Sequence, residues 1–585
     1  MIAPLTHTDP EAALDAALGD PEEGARRAAE LDAAEAFPAE LCARLDAFGL
    51  PAHYVPTEWG GALDDHERLL RLWRTVARRD LSAIVAHGKT YLGAAPVWVA
   101  GSPEQATATA AAVLGGSPVA WALSEAEHGA DLLNGSLAAT ATAHDSGYRL
   151  DGTKWPLNNA TRAGHITLLA RTGEAGTPRG HSLFLLDKSA LAPGTWRELP
   201  KAPTHGIRGI DISGVEFTGT PLAASTAIGP QGTGIETVLR TLQLTRTMCA
   251  ALSLGAGEHA LRLAGRFTAE RVIQRLPLID RPYPGSVLAR CAALLAAAEA
   301  TALVGSRSIH SLTGEMSVTS AVVKSLAPAL VDSTITELAE LLGVRSYLTE
   351  VYEHGAFQKL SRDHQIVSVF DGSTPVNRAA LVQQFPKLAR GLAAGTFDTD
   401  GLAEAVSVGD RTRPLDRAAL TLLSRQGCSV VQSLPALAES IAARNAPAGL
   451  AEHTAALSAA AERLGVLMAE VRPASRPPMA AYELAAAFEL CYAGAACVHL
   501  WAAGEERHRG EPLWEDGLWV RAALRALLAR LADLLRTPPP DPARGDDLID
   551  GPLSRIIATA SATGAPVTPF GAPMPRPADA PKDSA

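Results

Sequence analysis

The spacing of hydrophobic residues divides the chain into helical and β-rich segments. Up to about residue 119 Ala, Leu, Glu and Arg dominate, and apolar positions recur at helical spacing, most clearly from Asp64 to Arg79. Residues 120–228 instead contain short alternating runs separated by Gly, Asp, Asn and Pro, a pattern typical of antiparallel strands. The helical pattern returns over 229–396 and again over 397–536.

This pattern predicts a mainly α protein with a central β-domain. We expect an N-terminal helical domain (1–119), a small antiparallel β-barrel or sandwich of about eight strands (120–228), a helix bundle (229–396) and an additional helical domain (397–536). The remaining residues, 537–585, form a Pro/Ala-rich tail, and its composition predicts disorder from about Ala562 onward.

Composition and charge narrow the possible functions. The 585 residues carry 52 Lys and Arg against 63 Asp and Glu, a net charge of −11, which argues against a nucleic-acid partner. The six cysteines show no zinc-ligand spacing and favour a reduced, cytoplasmic protein. The N-terminal residues do not resemble a signal peptide, and charges such as Glu299 interrupt the apolar runs, so we expect no transmembrane segment.

Short motifs follow one another in an order that matches these predicted domains. They are GLPAHYVPTEWGG (Gly49–Gly61), AWALSEAEHGADL (Ala120–Leu132), LDGTKWPLNNA (Leu150–Ala160), GIRG (Gly206–Gly209), GPQGTG (Gly229–Gly234) and SRDHQIVSVFDGST (Ser361–Thr374). Over roughly residues 40 to 390 the set resembles the acyl-CoA dehydrogenase family, and the residues after that fit its longer members, which append a further helical domain. The resemblance implies a C-terminal four-helix bundle, FAD between the β-domain and the bundle, and FAD-dependent α,β-dehydrogenation of an acyl thioester.

Asp371 is the candidate catalytic base. It ends the apolar run Ile366–Phe370, where desolvation would raise the pKa of an Asp. The family has a Glu at this position, which removes the substrate α-proton; the shorter Asp also occurs there in the nitroalkane oxidase branch. Thr245, at the alternative position of the base in some members, cannot act as one. Capping of the helix that begins near Ser373 is the competing interpretation of Asp371.

The resemblance also implies the residues around the substrate. Arg246 lies on an apolar helical stripe, where an Arg needs a partner or a ligand, and the family has an Arg near the acyl-CoA site. A structural ion pair explains Arg246 equally well. Phe370 and Gly372, which flank Asp371, are the other candidate substrate-binding residues.

A further set of residues is expected at the flavin. Leu123, Ser124 and Ala130 belong to the motif that borders the flavin ring, although the family has a Ser where Ala130 stands. Leu157 and Asn158 correspond to the strand motif that contacts the flavin, with Asn158 in place of the family's Thr. The competing interpretation of Asn158 and Asn159 is a simple turn.

The remaining cofactor contacts implied by the resemblance lie in the bundle. Arg271 and Gln274 match a motif that reaches the FAD pyrophosphate across a subunit interface, and Arg suits bidentate phosphate binding. Glu340 and Gly343 match a motif that holds the adenine-side phosphates of the neighbouring subunit's FAD, where the carboxylate of Glu340 would repel phosphate. Ser373 and Pro375 complete the set of cofactor-binding candidates.

Several alternatives stay open at this point. The resemblance implies an acyl-CoA or acyl-carrier-protein substrate, an electron-transfer flavoprotein as acceptor, and a homodimer or homotetramer; no metal is expected. A flavin-dependent oxidase or monooxygenase on the same scaffold is one alternative, and a flavin-poor partner subunit is another. Departures from the family motifs favour a role in specialised biosynthesis. The glycines of Gly229–Gly234 lack the strand and the acidic residue of a Rossmann unit, so that interpretation is rejected.

Overall fold

The computed structural model describes residues 9–129, 131–132, 140–144, 147–174, 176–177, 179–444, 446–472, 474, 476–538 and 546–574. The helices in this part of the chain are α1 (Pro10–Leu18), α2 (Pro21–Ala33), α3 (Ala39–Phe48), α4 (His66–Ala77), α5 (Leu81–Ala100), α6 (Pro103–Leu114), α7 (Gly234–Glu270), α8 (Pro282–Ser311), α9 (Met316–Leu342), α10 (Ala356–His364), α11 (Thr374–Val382), α12 (Phe385–Ala394), α13 (Thr399–Val406), α14 (Ser429–Gln432), α15 (Leu434–Ala442), α16 (Leu450–Glu470), α17 (Met479–Gly504), α18 (Leu518–Leu535) and α19 (Asp546–Thr563). The strands are β1 (Val119–Ala122), β2 (Thr140–His144), β3 (Gly147–Asn158), β4 (His165–Arg171), β5 (His181–Asp187), β6 (Trp196–Leu199), β7 (Ile212–Ala223), β8 (Ala227–Ile228), β9 (Val272–Ile273) and β10 (Leu276–Pro277).

The predicted order of helices, central strands and helices is confirmed. In the N-terminal region the helices begin where the sequence supplies caps. The Asp65 carboxylate accepts a hydrogen bond from the Glu67 N–H (2.8 Å), and Asp80 caps α5 in the same way through Ser82. Ser102 and Gln105 form a reciprocal capping box at the start of α6.

The central strands β1 to β8 form one eight-stranded sheet. Its order is β6-β7-β3-β2-β4-β5-β8, with β1 pairing on β4 outside this path. Most pairs are antiparallel as expected, but β1 runs parallel to β4, and β2 meets β4 in parallel at a single position. The sheet is therefore mixed rather than purely antiparallel. Strands β2 and β3 lie between β1 and β4 in the sequence, and this long connection allows β1 and β4 to pair in parallel.

The core of this sheet is built from inward-facing aliphatic residues and two phenylalanines, Phe184 and Phe217. Leu150, Ile166, Leu168, Phe184 and Val215 are fully buried in it. Buried and more exposed positions are interspersed along β3 and β7. Their pairing register is therefore specified, since a one-residue slip would turn the buried side chains to the other face.

The chain forms two compact units. The first consists of residues 1–10, 30–64 and 80–245, and the second of residues 11–29, 65–79 and 246–585. The predicted bundle (229–396) and additional helical domain (397–536) therefore do not separate as two bodies, since both contribute to the second unit. Its central helix is α8, which packs against α4, α9, α13, α17, α18 and α19.

The tail is more ordered than its composition predicts. Helix α19 occupies Asp546–Thr563, and the residues that follow are held in place as far as Met574. Thr568 is 1% exposed and Phe570 is 8% exposed. The expectation of disorder from Ala562 is therefore wrong for residues 562–574, because buried partners elsewhere in the second unit compensate for the weak local pattern.

Two helices, α8 and α17, are long and apolar enough to cross a membrane. In the most apolar windows of these helices, 94% and 89% of the residues are buried inside the protein. Core helices of soluble proteins pass the same test of length and composition, so this observation is weak support for a membrane span.

Candidate functional site

In the first unit, three hydrogen bonds attach the expected flavin loop to strand β3. The ammonium of Lys154 donates to the Leu123 carbonyl (3.3 Å) and forms an ion pair with the Glu125 carboxylate (2.7 Å). The Trp155 N–H donates to the Ser124 carbonyl (3.1 Å). The Lys154 side chain is fully buried, and burial lowers its pKa while Glu125 opposes that change. Leu123 and Ser124 are thus fixed against β3 by a buried charge pair.

The residues at the end of β3 divide between the core and a polar turn. The Leu157 side chain is 3% exposed and belongs to the sheet core, so only its main chain is free to contact a flavin. Asn158 ends the strand, and its amide Nδ2 is buried without a hydrogen-bond partner among the described residues. Asn159 adopts a left-handed backbone (φ 59°) and donates from Nδ2 to the Ala86 carbonyl (2.7 Å), as expected for a turn. Ala130 lies outside the described residues.

In the second unit, two cations hold the turn that carries Asp371. The guanidinium of Arg246 donates from Nε to the main-chain oxygen of Asp371 (2.8 Å). Before the turn, the ammonium of Lys324 donates to the Val367 carbonyl (2.6 Å) and lies 5.5 Å from the centre of the Phe370 ring. Lys324 is 0% and Arg246 is 9% exposed, so both ends of the turn are fixed from the interior. Burial lowers the pKa of Arg246, and the neighbouring Asp371 and Cys249 oppose that change.

Asp371 itself is half-buried, not fully desolvated as the apolar run before it suggests. Its backbone is left-handed (φ 56°), a conformation in which Asp is more frequent than most side chains. The Cys249 thiol donates to its carboxylate Oδ2 at 3.7 Å. The side chain is therefore held beside a weak donor while still reaching the surface of its unit.

The backbone and surroundings of residue 372 favour glycine. The φ of Gly372 is +97°, and a Cβ at this position would lie 2.7 Å from Arg246 Nη2. Any side chain here would displace the guanidinium that supports Asp371.

The helix that follows does not use Asp371 as its N-cap residue. Ser373 occupies the N-cap of α11, and the Asn377 amide donates to the carbonyls of Gly372 (2.9 Å) and Ser373 (3.0 Å). Ser373 is half-buried and Pro375 is exposed. The competing interpretation of Asp371 as the helix cap is therefore disfavoured.

Arg271 and Gln274 belong to a small exposed hairpin, β9–β10. The Arg271 side chain is exposed, and Gln274 and Arg275 form the turn with left-handed backbones (φ 52° and 66°). The Arg281 guanidinium holds the hairpin by donating to the Ile273 carbonyl (2.6 Å). The Arg271 guanidinium is thus placed at the surface of the second unit, where a phosphate can reach it.

Glu340 and Gly343 end helix α9. The Gly343 N–H donates to the main-chain carbonyls of Ala339 and Glu340, and both Glu340 and Gly343 are exposed. The Glu340 carboxylate therefore faces solvent, where repulsion of an approaching phosphate is screened by water.

Sequence and structure comparisons agree on one family. The N-terminal, middle and C-terminal domain models of acyl-CoA dehydrogenase match residues 21–117, 120–220 and 232–385. The chain belongs to the acyl-CoA dehydrogenase family.

Relatives and solved structures cover different shares of the chain. The probable acyl-CoA dehydrogenase FadE25 of Mycobacterium tuberculosis is 27% identical over 365 residues, which is 62% of this chain and 90% of FadE25. The structure of butyryl-CoA dehydrogenase from Megasphaera elsdenii matches with a TM-score of 0.58 at 23% identity and covers 63% of this chain and 96% of that one. An acyl-CoA dehydrogenase from Bacillus anthracis, solved in complex with FAD, matches with a TM-score of 0.65 at 17% identity over 96% of both chains.

As a member of this family, the protein is an FAD-dependent oxidoreductase that acts on the CH–CH bonds of acyl thioesters. The residues present fit a flavin. The buried, unpartnered N–H donor of Asn158 suits an acceptor atom of a flavin ring, since such a donor is costly to leave unpaired. The anchored main chain of Leu123 and Ser124 lies next to β3, the strand that Asn158 ends.

Sequence reasoning missed three residues that position the site. Lys154 contacts Leu123, Lys324 lies over the ring of Phe370, and Cys249 contacts Asp371. A signal for Lys324 was present, because a single Lys inside the apolar run of α9 needs a buried partner. Nothing in the sequence pairs Cys249 with Asp371, which lies more than a hundred residues away.

Among the described residues no group of three or more His, Cys, Asp or Glu side chains could hold a metal ion.

Proposed function

We propose that the protein dehydrogenates an acyl-CoA or acyl-carrier-protein thioester between its α- and β-carbons, with Asp371 as the base that takes the α-proton. The observation that carries this proposal is the turn around Asp371. Arg246 and Lys324 fix its two ends, and the carboxylate stays half-buried with Cys249 as a neighbour. A fixed carboxylate that is partly shielded from water suits a general base.

The bound FAD would supply the acceptor for the hydride that leaves the β-carbon. Leu123, Ser124, Asn158 and Ser373 are the residues that we propose to contact it, and Arg271 is proposed to contact the FAD of a neighbouring copy of the chain. The chain's own part in the reaction is to remove the α-proton at the Asp371 carboxylate.

Arg246 acts on the base instead of binding the acyl group directly. Its Nε is committed to the Asp371 main-chain oxygen, and Gly372 leaves just enough room for the guanidinium. We therefore assign Arg246 as a positioning residue, with Phe370 and Gly372 flanking the substrate side of the turn.

We further propose an electron-transfer flavoprotein as the electron acceptor and specialised biosynthesis as the setting. The departures from the family motifs at Ala130, Glu340 and Asp371 support the latter, since the resemblance assigns these motif positions to the substrate and the cofactor.

We also propose that the protein forms a homo-oligomer. Apolar side chains are exposed on and beside the β9–β10 hairpin, at Val272 (56%), Leu276 (51%) and Tyr283 (70%). Exposed apolar surface of this kind marks an interaction site, and the hairpin carries Arg271. Light scattering at micromolar concentration should show at least a dimer, and a monomer would contradict the assignment of Arg271 to a neighbour's FAD.

The test of the function is anaerobic mixing of the purified flavoprotein with acyl-CoA thioesters of increasing chain length and with acyl-carrier-protein thioesters. We expect the flavin absorbance to bleach with at least one class. A yellow protein that no thioester bleaches would overturn the proposal.

Two further outcomes of the same experiment identify the alternatives. Rapid reoxidation of the reduced flavin by air would assign an oxidase or monooxygenase, because a dehydrogenase should react slowly with oxygen. A colourless protein that gains no flavin when FAD is added would assign a partner subunit.

A further inference from the structure

A polar cavity lies within the second unit, beside the C-terminal half of α7. Its volume is about 80 Å³, several times the ~10–15 Å³ that a single water requires. His259, Arg262 and Arg266 line it from α7, and Ser561 and Gly564 line it from the end of α19 and the residue after it. Its lining includes neither Asp371 nor the residues that support it, and none of the candidate flavin contacts.

The three α7 residues share one face of the helix. Their spacing of three and four residues places the side chains one above another. Two guanidinium groups and an imidazole thus converge on one small space.

The buried arginine in this cavity is poorly satisfied. Arg262 is 4% exposed, and its Nε has no hydrogen-bond partner among the described residues. Its Nη2 reaches Glu258 at 3.4 Å and its Nη1 donates to the Ala560 carbonyl at 3.5 Å, both long contacts, and Glu258 is closer to Arg74 (3.0 Å). Buried charges are normally paired and fully hydrogen-bonded, so a ligand would improve on these long contacts.

Arg266 repeats this arrangement nearer the surface. Its Nη1 pairs with Glu353 (3.1 Å), while its Nε is buried without a partner among the described residues. Each of the two arginines that line the cavity therefore has a buried Nε–H without a partner among the described residues.

Several cations act on His259 at the edge of the cavity. Burial, together with Arg266, Lys359, Arg79 and Arg262, lowers the pKa of its imidazole to about 3. The acidic side chains at the cavity are Glu353, which is bonded to Arg266, and the exposed Glu22.

We propose that this cavity binds a phosphate group, held by the guanidinium groups of Arg262 and Arg266. The planar, forked donors of Arg match the tetrahedral oxygens of phosphate, and the cavity has room for one such group. The phosphate is either a free anion or part of a nucleotide, since both offer the same oxygens to the two arginines.

The test is calorimetric titration of the FAD-loaded, full-length protein with inorganic phosphate and, separately, with AMP, at constant ionic strength. We expect saturable binding of at least one probe. Binding of both with equal affinity assigns a site for the phosphate alone, and at least tenfold tighter binding of AMP assigns a nucleotide. No binding of either probe at millimolar concentration overturns the proposal.

Charge variants locate the bound anion. We expect Arg266→Gln to weaken binding at least tenfold and Glu22→Gln to strengthen it, because the exposed Glu22 carboxylate repels the anion. Arg290→Gln is the matched control, since Arg290 pairs with Glu337 on α9 and does not line the cavity. Equal binding by the Arg266 and Arg290 variants, each with an unchanged melting temperature, would overturn the assignment.

The imidazole of His259 gives a second measurement that does not depend on these variants. A bound phosphate should raise its pKa by at least one unit in an NMR titration, and an unchanged pKa at saturating probe would count against this site. Neither measurement uses an acyl thioester, so failure here leaves the proposed dehydrogenase function untouched.

Discussion

At the scale of single residues, the position of Asp371 is decided by partners that are distant in sequence. The motif around it predicts a carboxylate at the site, but its supports come from Arg246 on α7 and Lys324 on α9. The left-handed backbone of Asp371 could not be predicted either, although it gives a physical reason for Asp in place of Glu. The sequence therefore identified Asp371 as a candidate, while its half-buried, anchored state depends on tertiary packing.

Glu315 provides a test of buried electrostatics. Its carboxylate is 2% exposed and accepts hydrogen bonds from the Ser429 N–H (2.7 Å) and hydroxyl (2.6 Å). Burial raises the pKa of Glu315 to about 7, an effect that Asp398 reinforces and the Ser429 bonds oppose. Because the folded pKa lies above the unfolded one, this group costs stability progressively as the pH rises from about 4.5 to about 7, and the cost is constant above that range.

Glu315→Gln cannot ionise and should remove this cost. We expect its free energy of unfolding, relative to the natural protein, to rise by about 3 kcal/mol between pH 4.5 and pH 8, the value of a shift of roughly two units or more. Urea unfolding at the two pH values measures the difference. Glu439→Gln, at an exposed position on α15, is the control and should show no such trend; a flat profile for Glu315→Gln would refute the buried, proton-retaining carboxylate.

At the scale of elements, the attachment of the flavin loop to β3 depends on one buried ion pair. The presence of about eight strands in residues 120–228 was predicted from the sequence, whereas their order in the sheet and the contacts of Lys154 with Leu123 and Glu125 were not. Hydrophobic residues along β3 indicate which positions face the core. Lys154 is buried although Lys is normally exposed, and only its partners in the structure explain this.

Lys154→Met should break this attachment. It leaves the Glu125 carboxylate buried without its partner, which costs about 3–5 kcal/mol, and it frees the Leu123 carbonyl. We expect lower stability in urea and a lower ratio of flavin to protein. Replacing Glu125 by Leu in the same variant should restore most of the stability.

The control for this prediction is Arg149→Met on the same strand. Arg149 pairs with Asp151 at 3.8 Å with both side chains more than half exposed, and exposed pairs are worth about 0–1 kcal/mol. Equal losses from the two substitutions would contradict a structural role for the Lys154 pair.

At the scale of the whole molecule, the sequence predicted the order of the segments but not how the second unit is assembled. Hydrophobic periodicity is a local property, so it places helices correctly and says nothing about their partners. Thr568, in the tail, accepts a hydrogen bond from Arg74 (2.6 Å) and donates one to Glu299 (2.9 Å), residues several hundred positions earlier in the chain. Such contacts turn a segment with a disordered composition into part of the core.

Phe570 is the apolar anchor of this tail. Its ring packs edge-on against Trp514 (5.2 Å) and Trp519 (6.0 Å). Phe570→Ala should lower the stability by about 3–5 kcal/mol, the cost of removing a buried aromatic ring. Thermal unfolding measures this loss, and Met479→Ala, at a position that is 73% exposed, is the control; if both substitutions shift the melting temperature equally, the tail is not part of the folded core.

The proposed dehydrogenation depends on Asp371 as the base. Asp371→Asn is nearly isosteric and removes only the negative charge, so the fold and the bound flavin should be retained. The decisive measurement is the rate of flavin reduction after anaerobic mixing with a thioester that the natural protein oxidises. We predict a decrease of ~10²-fold or more, the scale of a lost general base. A variant that binds FAD normally and is reduced at the natural rate would show that Asp371 is not the base.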